Sequence, residues 1–423
     1  MEETTIKIFE GVNLHFINTD KFKTDLMAVF FITDLNRENV TKNALIPAVL
    51  RRGTNNLKTM KEIAMKLENM YGSVFDASSD KVGDRQVIQF YINSLNNNYA
   101  LDSMDIQNEA ADLLCDIILN PKLCGDFFDE EYVEGEKETL RELIEAKIND
   151  KATYALDRCI SEMCQNEPFG LYKFGYTEDL ENINAENLYK QYLEILKTAE
   201  IHIYVSGDLA IEKLESKFRE RFGKIERNFN EKKLQTVLPL IEKDEFTNHI
   251  EKLDVTQGKI VIGYRASDID LKNDLAKTTL LSTILGGTPG SKLFQNVREK
   301  ASLAYTIRSS YFKHKGMLMI SAGIEIDKYD EAFSLILKQV NAIKNGDITE
   351  EELADAKSYL INNYKSFYDD QSTIINFDMG QTILENSDSI EKVIEKISDV
   401  QIKDVVEIAN KFKCDTTYFL RNR

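Results

Sequence analysis

The sequence predicts an α+β fold of two homologous halves, each a mixed, largely antiparallel sheet covered by helices. Three observations lead to that prediction. Strand-like segments, with β-branched and aromatic residues at alternate positions, occur among longer amphipathic helical stretches. The same order of elements (strand, helix pair, strand pair, helices, final strand) occurs twice, in about 200 residues each. A polar connector separates the two rounds.

The first round mixes strands and helices from its beginning. Its predicted strands are 12–17, 25–33, 73–78, 85–95 and 201–205. Its predicted helices are 40–52, 58–70, a run from 102 to the Asn120-Pro121 stop, 126–166, 185–197 and a stretch ending near 222. This mixture favours an α+β half over an all-helical or all-strand one.

The second round follows a charged stretch, 224–250, that contains Pro239 and has the composition of a linker. Its predicted strands are 259–264, 303–312, 317–324 and 416–420. Its predicted helices are 273–285, 291–300 and several over 327–411. We therefore predict an N-terminal half over residues 1–223, a linker over 224–250 and a C-terminal half over 251–423.

Composition excludes several classes of protein. Of the 423 residues, 43% are apolar and 29% are charged, which is the balance of a folded globular chain. The 71 acidic and 53 basic residues give a net charge of −18, which disfavours nucleic acid and anionic membrane surfaces as partners. The longest apolar stretch, 26–32, is far shorter than the roughly 20 residues of a membrane helix. We expect neither nucleic acid nor a membrane as a partner.

Histidine and cysteine usage bears on metals and on compartment. The four histidines, His15, His202, His249 and His314, are too far apart for any local metal motif. The five cysteines are an odd number at irregular spacing, which favours a reducing compartment over a disulfide scaffold. The first residues show no signal-peptide pattern, so we expect a cytoplasmic protein.

A glycine-rich stretch at 286–293 is the first candidate for chemistry. A phosphate-binding loop needs a strand before it and a Lys followed by Ser or Thr. Here Lys292 is followed by Leu293, and the residues before the loop have a helical pattern. Two interpretations remain: glycines that end one helix before a Pro-Gly turn, or a loop that contacts substrate.

Two further features carry no function by themselves. Arg298 is expected in the last turn of a helix and Tyr305 on the next strand, so both could face one cleft. A helix-ending arginine and a packed tyrosine are equally ordinary structural residues. The acidic residues between 130 and 145 fit a solvated helix face, because a general base needs a partner or a metal that the sequence does not place.

The run from 284 to 305 carries a family resemblance. Ile-Leu-Gly-Gly at 284–287 and Ser-Lys-Leu-Phe-Gln-Asn-Val-Arg-Glu-Lys-Ala-Ser-Leu-Ala-Tyr at 291–305 resemble the second-half signature of the insulinase/pitrilysin family of zinc peptidases. Residues 43–54 and 58–72 are similar to the family's zinc-motif helix and the segment after it. The resemblance covers nearly the whole chain, and it implies the duplicated fold of mitochondrial processing peptidase.

The resemblance also identifies a degenerate metal motif. When Gly53-Thr54 is placed on the family's Gly-Thr, the inverted His-x-x-Glu-His motif falls on 44–48. Ala44 and Ala48 then replace the two histidines, and Pro47 replaces the general base. None of these side chains has a ligand atom. Proline inside a helix removes an N–H and clashes with the preceding turn, so we also expect a disturbed helix there.

The family's third zinc ligand, a glutamate, falls on Leu143 when Glu136-Lys137 is aligned with the family's Glu-Lys/Arg pair. A shift of one residue would bring Glu142 into this position. Catalytic zinc sites use three protein ligands, so one carboxylate does not suffice. The resemblance therefore implies no metal and no cofactor in this chain.

The resemblance implies a function for what remains. Arg298 and Tyr305 stand where the family keeps an Arg and a Tyr that bind the peptide and stabilise the transition state. In two-chain members, one subunit carries zinc and its partner supplies this pair. Motifs between 150 and 176 are similar to the zinc-less subunit of bacterial two-chain processing proteases. We expect a heterodimer with a zinc-bearing homologue and a peptide or unfolded polypeptide as substrate.

Two alternatives remain open. The chain could be a structural or assembly protein that uses the fold only as an interaction surface and binds no peptide. It could also be an independent hydrolase with an unrecognised site.

Overall fold

The computed structural model describes residues 2–230, 246–266 and 268–423. They divide into two compact units. The first unit contains the described residues up to Glu145 and those from 171 to 230. The second unit contains Ala146–Gly170 and the described residues from 246 onward. The sequence-based division at 223 differs from this one in the segment 146–170, which belongs by its contacts to the second unit.

Each unit is built on one main sheet. The strands are β1 (Glu2–Phe9), β2 (Val12–Asn18), β3 (Thr24–Asp34), β4 (Val74–Val82), β5 (Arg85–Leu95), β6 (Leu123–Cys124), β7 (Phe127–Phe128), β8 (Glu200–Gly207), β9 (Thr247–Lys252), β10 (Gly258–Arg265), β11 (Ala304–Phe312), β12 (Met317–Ile324) and β13 (Lys413–Arg421). In its described part, the first unit has a six-stranded sheet in the order β1-β2-β8-β3-β5-β4. The described part of the second unit has a five-stranded sheet in the order β11-β12-β10-β13-β9.

Most strand pairs are antiparallel, while β2 with β8 and β9 with β13 are parallel. The predicted α+β fold with two mixed, largely antiparallel sheets is therefore confirmed. Two edge strands differ from the prediction. β1 was not predicted, and β9 lies partly inside the predicted linker. Both are polar edge strands with few buried residues, so neither carries a clear alternating apolar pattern. Residues 231–245 of that linker, including Pro239, lie outside the described residues.

The helices cover the sheets. They are α1 (Val40–Leu50), α2 (Met60–Asn69), α3 (Ile106–Leu119), α4 (Glu130–Ala146), α5 (Lys151–Met163), α6 (Thr177–Leu180), α7 (Ala185–Thr198), α8 (Ile211–Phe222), α9 (Leu275–Ser282), α10 (Tyr329–Lys344), α11 (Glu350–Ser366), α12 (Gln371–Ile383), α13 (Ile390–Asp399) and α14 (Ile402–Lys411). No helix in the described ranges is both long enough and apolar enough to cross a bilayer.

α1 is a core element of the first unit. It packs on β4, β5 and α7, and nearly all of its residues are buried. Pro47 lies inside it, so the expected disturbance of the helix is wrong. Pro47 has no N–H to donate and its ring crowds the preceding turn, but the helical bonding resumes where Arg51 N donates to Pro47 O at 3.3 Å. Burial of almost the whole helix compensates for the one lost hydrogen bond.

The helix predicted over 126–166 is two helices that belong to different units. Asp150 ends the intervening turn and caps α5, because its side chain accepts hydrogen bonds from Ala152 N and Thr153 N. α5 packs against β10 and β13 of the second unit. At this contact a Cβ on Gly263 would lie 2.5 Å from Met163 Sδ, so the glycine leaves room for the methionine side chain of α5.

Candidate functional site

The degenerate motif lies on α1 of the first unit. Ala44, with 8% of its surface exposed, and Pro47 are buried, whereas Ala48 is half-buried. Leu143 lies on α4 and is 46% exposed. These side chains contain only carbon and hydrogen, so they offer zinc no ligand atom. No group of three or more His, Cys, Asp or Glu residues in the described parts of the chain could hold a metal ion. A resident zinc ion does not fit these residues.

Neutral amides fix α1 in place. Asn43 Nδ2 donates to Gln86 Oε1 at 3.0 Å, and Gln191 Nε2 donates to Asn43 Oδ1 at 2.9 Å. Gln86 Nε2 donates in turn to Val40 O at 2.9 Å and to Ser79 Oγ at 3.2 Å. This buried network joins α1 to β4, β5 and α7 without any charge. Sequence reasoning missed it, since the partners lie far apart in the chain.

One carboxylate of the acidic run is not on a solvated face. Glu136 on α4 is 3% exposed, and its Oε1 lies 2.5 Å from Arg52 Nε. The expectation of a fully solvated acidic face is therefore wrong at this position, because the glutamate pairs with an arginine just after α1. The remaining glutamates of α4 are exposed, and these are Glu130, Glu131, Glu134, Glu138, Glu142 and Glu145.

Arg298 and Tyr305 lie on consecutive elements of the second unit. Arg298 is in a wide helical turn, Phe294–Lys300, that packs against β11, and Tyr305 is on β11 itself. Such wide turns are rare and are frequent at functional sites. Their positions at the end of a helix and on the following strand agree with the sequence-based expectation. β11 is the first strand of its sheet, so this region lies at a sheet edge.

Both side chains are exposed. The Arg298 guanidinium lies over the Phe294 ring, with Cζ 4.5 Å from the ring centroid, and its Nε is 3.6 Å from Glu299 Oε1. Tyr305 is 55% exposed, and its hydroxyl donates to Glu325 Oε1 at 3.0 Å. This hydrogen bond to a carboxylate raises the pKa of Tyr305, so the phenol stays a donor at neutral pH. The pair therefore places a cation and a neutral phenol at the surface, and in this structure the phenol O–H is donated to Glu325.

The glycine-rich stretch supports β11 from behind. A Cβ on Gly286 would lie 2.6 Å from Ser309 N, so only glycine allows this approach. Lys292 is buried, and its Nζ lies 2.9 Å from Glu352 Oε1. An ion-paired, buried lysine is not available for a phosphate, in agreement with the sequence-based exclusion of a phosphate-binding loop.

Two histidines meet although 187 residues separate them. His15 Nε2 and His202 Nδ1 are 2.9 Å apart, and His202 Nε2 is 3.0 Å from Glu200 Oε1. His15 Nδ1 also lies 3.0 Å from Thr5 Oγ1. Burial and the neighbouring His202 lower the pKa of His15 to about 3, so its ring is neutral at physiological pH. Every ring nitrogen of the pair has a partner, so the contact is structural.

Comparison with known proteins relates this arrangement to inactive metalloproteases. A family model described as "Peptidase M16 inactive domain" matches residues 182–360. The "Probable inactive metalloprotease YmfF" of Bacillus subtilis (strain 168) is 34% identical over 418 residues, which cover 97% of this chain and 96% of that protein. The "Uncharacterized zinc protease YmxG" of the same organism is 24% identical over 347 residues, 79% of each chain.

A solved structure has the same fold. The crystal structure of a peptidase M16 inactive domain from Pseudomonas fluorescens superposes with a TM-score of 0.82 at 18% identity. The superposition covers 100% of this chain and 99% of that one. The likeness therefore extends over both units.

Proposed function

The chain belongs to the M16, or insulinase/pitrilysin, peptidase family as an inactive metalloprotease homologue, and from this premise we propose that it is the non-catalytic subunit of a two-chain protease. It pairs with a zinc-bearing homologue, binds the peptide substrate and contributes contacts to the transition state. Zinc resides only in the partner, and this chain needs no cofactor of its own.

One observation carries the proposal. The residues that align with the family's zinc ligands have hydrocarbon side chains, whereas Arg298 and Tyr305 are exposed at a sheet edge. Exposed arginine and tyrosine side chains carry little stability, so packing does not explain their presence there. A role outside the folded chain itself explains them better.

The chemistry of the pair fits peptide-bond cleavage. Negative charge develops on the carbonyl oxygen of a peptide as it is attacked, and fixed donors near that oxygen stabilise it. A guanidinium gives a charge-assisted hydrogen bond, and the Tyr305 hydroxyl gives a neutral one once its single proton turns from Glu325 to the substrate. This chain would supply these donors, and the partner would supply the attacking group.

The sheets offer a way to hold an extended peptide. β4 is the last strand of the first sheet and β11 is the first strand of the second, so each has an outer row of N–H and C=O groups without a strand partner in the described residues. A peptide can add to such an edge as a further strand. Main-chain pairing does not depend on sequence, which would suit an unfolded polypeptide as substrate.

We place the protein in the cytoplasm as part of this proposal. All five cysteines are free, and Cys115, Cys159 and Cys164 are buried. Free thiols persist in a reducing compartment.

The proposal is tested by reconstitution. The chain is co-expressed with the zinc-bearing homologue of its own genome, and cleavage of a quenched-fluorescence peptide library is measured. Arg298→Ala should lower kcat/KM of the complex about tenfold or more, since charged hydrogen bonds contribute about 1.5–3 kcal/mol. Tyr305→Phe removes only the hydroxyl and should lower it about fivefold. Lys300→Ala, two residues further in the same wide turn, is the charge-matched control.

The outcomes separate the hypotheses. If kcat/KM of the complex is unchanged by Arg298→Ala, the hypothesis of a site shared between the two chains is wrong. A stable complex that binds no peptide would favour the assembly protein. Stoichiometric zinc in the purified single chain would favour an independent hydrolase.

A further inference from the structure

The first unit contains a cavity of about 470 Å³. It lies where the last turns of α3, α7 and α8 come together. Sites for small molecules typically have volumes of about 300–1,000 Å³. None of the residues assigned above to the degenerate motif or to peptide binding lines it, so the proposed function leaves the cavity unexplained.

One wall of the cavity is an ordered polar cluster around Asp116. Its carboxylate accepts hydrogen bonds from Thr54 Oγ1 at 3.1 Å, Asn56 Nδ2 at 2.9 Å and Asn120 Nδ2 at 3.0 Å. Arg221 Nη2 donates to the same carboxylate at 3.2 Å. The buried negative charge is thus paired and saturated with donors. This wall is fixed before any ligand arrives, and Asp116 does not repel an anion as a free carboxylate would.

A second part of the lining, the leucine wall, is aliphatic. It is formed by Leu119, Leu193, Leu196 and Ile225. Leu196 belongs to the core of the first unit, and the others pack against that core. The wall is therefore supported from behind and holds its shape. An aliphatic chain placed against it would leave water for a preformed apolar surface.

The charges at the cavity favour an anion. Its lining contains Lys197, Arg221 and Lys224 against Asp116 and Glu226, an excess of one positive charge in a chain of net charge −18. Arg221 and Asp116 neutralise each other. The Lys197 side chain is exposed, and its ammonium group has no ion pair or hydrogen bond to any residue that the structure describes, whereas the Lys197 backbone carbonyl accepts a hydrogen bond from Asn228 N at 2.9 Å. Its ammonium group is available to a ligand.

We propose that this cavity binds a small amphipathic monocarboxylate. The carboxylate pairs with Lys197, and the aliphatic body lies along the leucine wall. Lys224 adds to the same charge, because its ion pair with Glu220, at 3.3 Å, is exposed and is exchanged for the ligand at little cost.

The test uses three probes of equal chain length on the full chain, by calorimetry at low salt. Octanoate carries the proposed head group, octanol is its neutral match, and octylamine is its cationic match. Octanoate should bind most tightly, octanol about fivefold more weakly because it lacks the ion pair, and octylamine below detection.

Two variants locate the site. Lys197→Gln should weaken octanoate about fivefold and leave octanol unchanged. Lys190→Gln is the matched control, since it removes the same charge from the same helix but from a lysine that pairs with Glu186 and does not line the cavity. Leu193→Trp should fill the cavity and weaken both octanoate and octanol.

The proposal is overturned if the three probes bind alike or if octanoate does not saturate at millimolar concentration. It is also overturned if Lys197→Gln behaves as Lys190→Gln does. Both lysine variants change exposed side chains, so the test stands even if Leu193→Trp fails to fold, which circular dichroism would reveal.

Discussion

α1 of the first unit and the Arg298–Tyr305 region of the second unit have opposite characters. α1, on which the family resemblance places the degenerate metal motif, is buried, neutral and held by amides. The other region is exposed, charged and polar, and packing does not require its side chains. The difference teaches that a helix without ligand atoms can serve wholly as core, while exposed polar side chains such as Arg298 and Tyr305 can be held in place without a metal ion.

The largest effect is expected from rebuilding the zinc site. The resemblance places the ligands at 44, 48 and 143, so Ala44→His with Ala48→His should leave the chain without stoichiometric zinc. Addition of Leu143→Glu should bring zinc content to about one per chain, because three protein ligands suffice. Metal analysis after dialysis measures this. Stoichiometric zinc in the two-histidine variant would mean that Glu142 is the native third ligand position.

The next effect separates core from surface. Leu45→Ala in α1 removes a fully buried side chain and should lower the free energy of unfolding by about 3 kcal/mol. Tyr305→Ala, which truncates an exposed residue, should lower it by less than about 0.5 kcal/mol. Urea unfolding of both variants checks the comparison. Equal losses would show that Tyr305 is a structural residue and would weaken the proposed function.

The smallest effect concerns the buried, neutral ring of His15 in the first unit. The pKa of His15 is about 3 in the folded chain and near 6.5 when unfolded, so the unfolded chain binds more protons between these values. The stability that His15 contributes is present above pH 6.5 and is lost as pH falls toward 3. From pH 7 to pH 5 the loss should be about 2 kcal/mol.

His15→Gln removes this titration and puts in place of the ring an amide that can form hydrogen bonds with Thr5 and His202. The difference in unfolding free energy between wild type and variant should therefore change by about 2 kcal/mol between the two pH values. A difference independent of pH would mean that the ring is accessible to protons in the folded chain.

The sequence predicted most of the fold because its signals are local. Alternating residues marked the interior strands, and the two-round order marked the two sheets. The polar edge strands β1 and β9 were not predicted, because an edge strand buries few side chains and so needs little alternation of apolar and polar residues. The break between α4 and α5 was also not predicted, because the amphipathic pattern continues through the short turn that Asp150 ends.

The candidate site was predictable only through family resemblance. Arg298 and Tyr305 form a recognisable run with the residues between them. By contrast, Asn43 with Gln86, and His15 with His202, meet through the fold from distant parts of the chain. Such contacts leave no local pattern, so single-sequence reasoning could not find them. α1 likewise stays helical at Pro47 because its tertiary burial outweighs the low helix propensity of proline, and burial cannot be seen in a local pattern.

The assignment of α5 to the second unit has a consequence for gene architecture. The segment 146–170 is encoded within the first half but contributes Ala155, Cys159 and Ile160 to a core with Val261 and Tyr418. The polypeptide therefore passes between the units three times, not once. A gene divided at the connector would not yield two independent modules, because its downstream product would lack one layer of its own interior. The second unit thus depends on a segment encoded within the first half of the chain.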